Sequence, residues 1–329
     1  MSKKNVWISI LRIICCYLVV LNHFGRTDFC KMLATSVTIY AIPIFMFLSF
    51  YLCGNKLFEN EGYIKKRLKR LYYPIFLWSI VYYLLYNSAR AFVNKELIPI
   101  KDLMYSLVTG VSERLNTPMW FSMELILLSI LMYMILVCER SERKRKIIYA
   151  FLIILAELLI YSGVNFYLFG GLRFESGLVI SRLFECIPFA AMGMIVSGSN
   201  KKNVGFIAIS SLLLTVIFWN VSKPNGFVYQ GVQLLTVAVL ICTVAILLPN
   251  PSKSKMTVFF DNISKYTMGI YYIHIGTGYF LTLFPIVNSE NMGIIFALVV
   301  MLVSLSIVFV MNKIAEKVPA FQWMKYMVV

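Results

Sequence analysis

VWISILRIICCYLVVLNHF, residues 6–24, is the stretch whose reading decides the fold. It is apolar over nearly the length that an α-helix needs to cross a bilayer, about 20 residues. Two residues interrupt it, Arg12 and His23. Eleven steps along a helix turn through about three revolutions, so the two side chains share one face, roughly 16 Å apart. An ionisable group at membrane depth is costly unless it is paired or faces a wet cavity. The chain has only two histidines, His23 and His274, and both fall in apolar segments. Two readings stand side by side. In one, Arg12 snorkels to the surface and His23 is an ordinary interfacial residue. In the other, the pair carries the function.

Composition supports a membrane protein. Of the 329 residues, 60% are hydrophobic, and the mean hydropathy is +0.79. Soluble domains hold about 45–50% apolar residues. Apolar runs recur along the whole length, and no polar block is long enough for a soluble domain. The expectation is one membrane domain over 1–329 without an appended soluble domain. Lys3 and Lys4 before the first run resemble the start of a signal peptide, but Arg12 and the lack of a small-residue cleavage site favour a retained helix. The seven cysteines show no CxxC spacing, so neither a disulfide framework nor a metal site is indicated.

Apolar runs between charged or Pro/Gly-rich breaks predict about ten transmembrane helices: 6–25, 33–54, 71–88, 119–138, 147–163, 178–197, 204–221, 231–249, 266–286 and 292–312. The fold class is therefore all-α and integral to the membrane. The formal charge of +16 would suit nucleic acid, but its distribution points elsewhere. With the N-terminus inside, cytoplasmic connections hold 21 Lys and Arg and the outer ones 8. That bias places both termini in the cytoplasm of a multi-pass cell-membrane protein, and no nucleic-acid partner is expected. The long outer connection, 89–118, contains a mixed stretch, Pro99 to Gly110, that suits a re-entrant or interfacial helix.

Two further clusters carry chemistry. Lys65-Lys66-Arg67-Leu68-Lys69-Arg70 enters the third segment from the cytoplasm. Arg67 and Arg70, three apart, share a helix face, and paired guanidinium forks suit clustered phosphates. The competing reading is an anchor on anionic lipid. Asn262 to His274 leads into the ninth segment and gathers Ser264, Gly269, Tyr271 and His274. Glu124, Glu157 and Glu185 fall inside apolar segments. One of them is expected to orient His23 or to neutralise Arg12 or Arg182.

Taken together, these stretches resemble the membrane-bound acyltransferase 3 family of bacterial envelope O-acyltransferases. Its Arg-x10-His pattern is matched by Arg12 and His23, and its Arg-x-x-Arg pattern by Arg67 and Arg70. A Pro-x-Phe-Phe-x-x-Ser-Gly-Tyr-like stretch is matched in part by Pro43 to Tyr51, a Trp-Phe pair by Trp120-Phe121, and a Gly-Ile-Tyr-Leu-x-His stretch by Gly269 to His274. Two positions depart from the pattern. Phe50 stands in place of the glycine that allows close helix packing, and Ile275 in place of the proline that often follows the last histidine.

The resemblance implies transfer of an acyl group, expected to be acetyl, from cytoplasmic acetyl-CoA or another acyl-CoA. The acceptor it implies is a hydroxyl of an envelope glycan or lipid-linked sugar. No bound cofactor is expected. Arg67, Arg70 and Lys66 are the candidates for holding CoA phosphates. Arg12 is a candidate for the phosphates, the pantetheine region or the thioester oxygen, and His23 for the general base. Glu124, Trp120, Tyr271 and His274 are supporting candidates. A transporter or flippase for a lipid-linked sugar or small solute would use the same buried polar groups and is the alternative; a membrane sensor without catalysis is a third.

The charge count makes a direct prediction. In a Cys-free background, a single cysteine at Asn60 resists a membrane-impermeant thiol reagent in intact cells, whereas one placed in 89–118 reacts. Labelling at Asn60 from outside overturns the ten-helix topology.

Overall fold

The first apolar stretch forms one helix, α1 (Val6–Phe24). Asn5 starts it: its Oδ1 accepts from Trp7 N at 2.9 Å, and its Nδ2 donates to Ala245 O at 3.0 Å. In this computed structural model, residues 5–59, 61–110, 115, 119–161, 175–221, 230–251, 254–283 and 293–328 are described. Among them every regular element is helical. After α1 come α2 (Asp28–Ser36), α3 (Ala41–Glu59), α4 (Glu61–Phe92) and α5 (Ile100–Thr109). Then follow α6 (Trp120–Cys138), α7 (Glu142–Tyr161), α8 (Glu175–Ser197), α9 (Lys201–Val221) and α10 (Gln230–Leu247). The chain continues through α11 (Lys255–Ser264), α12 (Thr267–Leu281), α13 (Ile294–Lys317) and α14 (Lys325–Val328).

Each of the ten predicted segments is helical over most of its described length. The boundaries need correction. The second segment is two helices, because the chain bends by 40° between Asp28–Ser36 and Thr38–Gly54. By length and apolar composition three described helices can cross a membrane: α1, α6 and α13. A fourth is added if the bent pair is one span. The other segments fall short for local reasons. α12 has 15 residues, α7 opens on a basic run, and α4 mixes charge with a tyrosine-rich half. The stretch from Pro99 to Gly110 is indeed a helix, closed by Gly110 in the left-handed region (φ 70°). A Cβ there would stand 2.9 Å from Met119 O, so glycine suits the position twice over. Residues 162–174, 222–229 and 284–292, which make up most of three predicted outer connections, lie outside the described residues, as do 111–114 and 116–118.

The basic run 65–70 and the apolar stretch after it form one continuous helix. α4 has 32 residues. At 1.5 Å per residue it is about 48 Å long, more than a hydrocarbon core of about 30 Å. Its charged residues are concentrated in its first third.

The chain divides into two compact units, with boundaries inside α1, α4 and α6. The first holds 1–11, 39–68 and 124–252. There α3 packs against α8 at glycines. A Cβ on Gly193 would stand 2.5 Å from Phe47 O and 3.0 Å from Phe50 Cβ, and one on Gly54 would collide with Ser197. Phe50 itself is wholly buried. The close approach that glycine would give at position 50 thus comes from the facing helix.

The second unit holds 12–38, 69–123 and 253–329. Its centre is α12, with ten of fifteen residues buried. α1 and α12 run parallel: Arg12 meets Thr267, His23 meets His274, and Phe24 lies on Gly278. Phe24 also packs edge-on against Phe296 near the start of α13.

Gly193→Ala should lower the thermal midpoint of the detergent-solubilised protein, by about 1–3 kcal/mol of overpacking. Gly205→Ala is the control, since nothing lies within 4 Å of its Cβ position. In an otherwise unobstructed helix interior that change stabilises by roughly 0.5–1 kcal/mol. Equal midpoints for the two variants contradict the α3–α8 packing.

Candidate active site

The parallel course of α1 and α12 lays a polar line through the second unit, anchored by Arg12. Its Nη2 donates to Thr267 Oγ1 at 3.1 Å, and that hydroxyl donates to Ser264 O at 3.0 Å. Cys16, one turn above, directs its thiol to Thr267 O at 3.6 Å. Arg12 is half-buried. Arg70, exposed near the start of the apolar part of α4, lies within electrostatic range of it. Among the described residues neither guanidinium has a carboxylate at ion-pair distance. Two like charges close together without a counter-charge form a place for an anion.

The other end of the line is the histidine pair. The rings of His23 and His274 are 5.1 Å apart, centre to centre, tilted by 50°. His274 is wholly buried and His23 exposed. The Nδ1 of His274 lies 2.7 Å from Tyr271 O and 3.3 Å from Ile270 O. Beneath it Tyr271 packs against Phe121 at 5.5 Å, and Phe121 against Trp120 at 6.0 Å. The Trp-Phe pair at the start of α6 therefore supports the ring stack under His274. The Tyr272 hydroxyl is bonded to Ser122 Oγ at 2.6 Å.

Arg67 and Arg70 share a helix but not an environment. Arg67 belongs to the first unit and is buried there. Its Nε donates to Ser129 Oγ at 2.8 Å and its Nη2 to Ser49 Oγ at 2.9 Å. Its guanidinium lies 5.3 Å from the centre of the Phe50 ring. Phe50, the departure from the family pattern, thus acts as a cation–π partner. Both hydrogen-bond partners are neutral, so they leave the charge in place. Lys66 is exposed.

The first unit has a polar cluster of its own. Glu124 is wholly buried, with neither carboxylate oxygen hydrogen-bonded among the described residues. It interacts electrostatically with Arg182 and Glu185. Glu157 sits over Gly231, where its Oε2 occupies the space of an absent side chain.

Sequence reasoning missed two residues. Thr267 lies inside the polar entry of the ninth segment, where no spacing or motif distinguishes it from its neighbours. Tyr82 is hidden in a stretch with many tyrosines. Its hydroxyl donates to Tyr272 O at 2.7 Å and accepts from Gly276 N at 3.2 Å. No local pattern marks it, because its role depends on a helix 190 residues away.

A family model described as an acyltransferase domain matches residues 5–313. No curated protein and no solved structure gives a match. The matched span includes both ends of the Arg12-to-His274 line and nearly the whole chain. The protein accordingly belongs to the acyltransferase 3 family and is a membrane acyltransferase.

Proposed function

We propose that the protein moves an acyl group, acetyl in the first instance, from cytoplasmic acyl-CoA to a hydroxyl of an envelope glycan or lipid-linked sugar. The observation that carries this reading is the polar line along α1 and α12. It has an uncompensated guanidinium pair at one end and a histidine open to its surroundings at the other. A donor with a phosphorylated head and a thioester tip suits such a line. The reading includes ten membrane crossings, both termini in the cytoplasm and residence in the cell membrane. The parallel course of α1 and α12 supports it, since both are then in-to-out spans.

The geometry supports a division of labour. The Arg12 guanidinium is fixed on Thr267, seven residues or about 10 Å along α12 from His274. It is too far from the histidine pair to hold a thioester oxygen that is under attack there. Arg12 and Arg70 engage an anionic part of the donor. His23 takes the proton of the acceptor hydroxyl as its oxygen attacks the thioester carbonyl. The C–S bond breaks, and the CoA thiolate recovers that proton from His23. Purified protein in detergent binds CoA and releases it from acetyl-CoA under this reading; a transporter does neither.

Arg70→Ala should weaken acyl-CoA binding roughly ten- to a hundredfold, the value of a charged hydrogen bond at about 1.5–3 kcal/mol. Arg70→Lys recovers part of it, because the fork geometry is lost. Arg67→Ala also lowers thermal stability, since Ser49 and Ser129 lose their donor. Unchanged CoA affinity in both alanine variants, measured by calorimetry, returns the basic run to a lipid-facing anchor.

His23→Ala should leave the protein inserted and CoA binding intact, and reduce transfer about 10²- to 10⁴-fold. Transfer by wild type rises with pH, because only a neutral imidazole accepts a proton. Near-normal transfer by a correctly inserted His23→Ala variant removes the general-base assignment.

A further inference from the structure

His274 is fully buried, and its two ring nitrogens are in opposite situations. Nδ1 faces two backbone carbonyl oxygens, Tyr271 O at 2.7 Å and Ile270 O at 3.3 Å. Carbonyl oxygens only accept, so Nδ1 must carry the proton. Nε2 is then bare, with a lone pair and no hydrogen-bond partner among the described residues. A buried acceptor without a donor is costly and calls for a partner. The nearest ring is that of His23, 5.1 Å away between centres. Two imidazoles turned edge to edge for an N–H···N hydrogen bond of about 2.9 Å stand at about that separation.

The turn that carries His274 is braced from outside the helix. An α-helix pairs the carbonyl of Tyr272 with the amide of Gly276. The hydroxyl of Tyr82 touches both, donating to the first at 2.7 Å and accepting from the second at 3.2 Å. Its ring occupies the space beside Gly276, 3.2 Å from where a Cβ would stand. A side chain lodged in the helix ladder modifies it locally, as proline does. Here it does so at the position where Ile275 replaces proline. The bare nitrogen of His274 is thereby held in one place.

From this we infer that His274 is the positioning residue for His23. Its Nε2 accepts a hydrogen bond from one ring N–H of His23, which leaves the other His23 nitrogen bare and turned to the acceptor hydroxyl. This inference rests on the general-base role proposed for His23. When the hydroxyl proton arrives, His23 becomes an imidazolium whose second N–H is already partnered. His274 stays neutral and keeps its own proton on Nδ1 throughout. The proton then leaves His23 for the CoA thiolate, and both rings return to their starting state. The logic is that of a buried acceptor fixing the tautomer of a catalytic histidine, with a neutral imidazole in place of a carboxylate. Hydrogen bonds of this kind are often long before substrate binds and shorten in the complex.

A chain with two histidines makes the test direct. With ¹⁵N-histidine labelling, the single remaining pair of ring signals in His274→Phe belongs to His23, and in His23→Ala to His274. In wild type, His274 should show protonated Nδ1 and bare Nε2, and His23 one dominant tautomer. In His274→Phe, His23 should populate both tautomers. The kcat should fall about ten- to a hundredfold, with KM for acetyl-CoA unchanged within twofold. His274→Gln, which keeps an acceptor at the end of the side chain, should recover most of the loss and the single tautomer. A His274→Phe variant with wild-type kcat, or with the wild-type His23 tautomer, overturns the inference. So does an equal loss in the Phe and Gln variants. If His23→Ala retains transfer, the general-base reading fails first; if His23 is essential and His274→Phe is not impaired, the positioning role alone fails.

Discussion

A guanidinium in a mostly apolar helix must find polar partners, and Arg12 finds Thr267. That single contact fixes the register of α1 against α12. Once it is set, the 3.6-residue periodicity carries the rest: Cys16 reaches Thr267 O, His23 reaches the ring of His274, and Phe24 lies on Gly278. The two helices run parallel: eleven residues along α1 and seven along α12 lead from the Arg12–Thr267 contact to the histidine pair. A register shift of one turn, about 5.4 Å, would separate the histidines and leave the buried Nε2 of His274 without any neighbour of its own kind. The cost of an unpartnered charge in an apolar setting is thus what aligns the site.

The two departures from the family pattern show how packing is kept when a motif residue changes. Phe50 replaces a glycine, yet α3 and α8 still approach closely, because Gly193 and Gly54 supply the room. The ring gained at position 50 becomes a floor under Arg67. Ile275 replaces a proline, and the Tyr82 hydroxyl takes over the same turn of α12. In both cases the requirement is physical: space for a helix crossing, and a helix ladder modified at one turn. More than one residue type satisfies each.

Charge is distributed unevenly between the two units. In the second, Arg12 and Arg70 stand close without a carboxylate at ion-pair distance among the described residues. In the first, Glu124 lies within electrostatic range of Arg182, so a buried carboxylate there has an opposite charge nearby. Glu185 stands near the same carboxylate, so the first unit's cluster mixes both signs where the second unit's pair does not. Arg67 is intermediate, with hydrogen bonds to neutral hydroxyls that satisfy its geometry without cancelling its charge.

Hydropathy and spacing in the sequence determined the all-helical class, the positions of the apolar segments and the rarity of Arg12, His23 and His274 within them. These are local properties, set by period and composition along one helix at a time. The α1 boundaries and the helix at Ile100–Thr109 were legible for that reason. The burial of Arg67, the meeting of His23 with His274 and the brace from Tyr82 were decided only by tertiary structure. Each depends on which face of one helix meets which face of another, far along the chain. Residues 251 positions apart settle where His23 stands, and no periodicity within either segment contains that information.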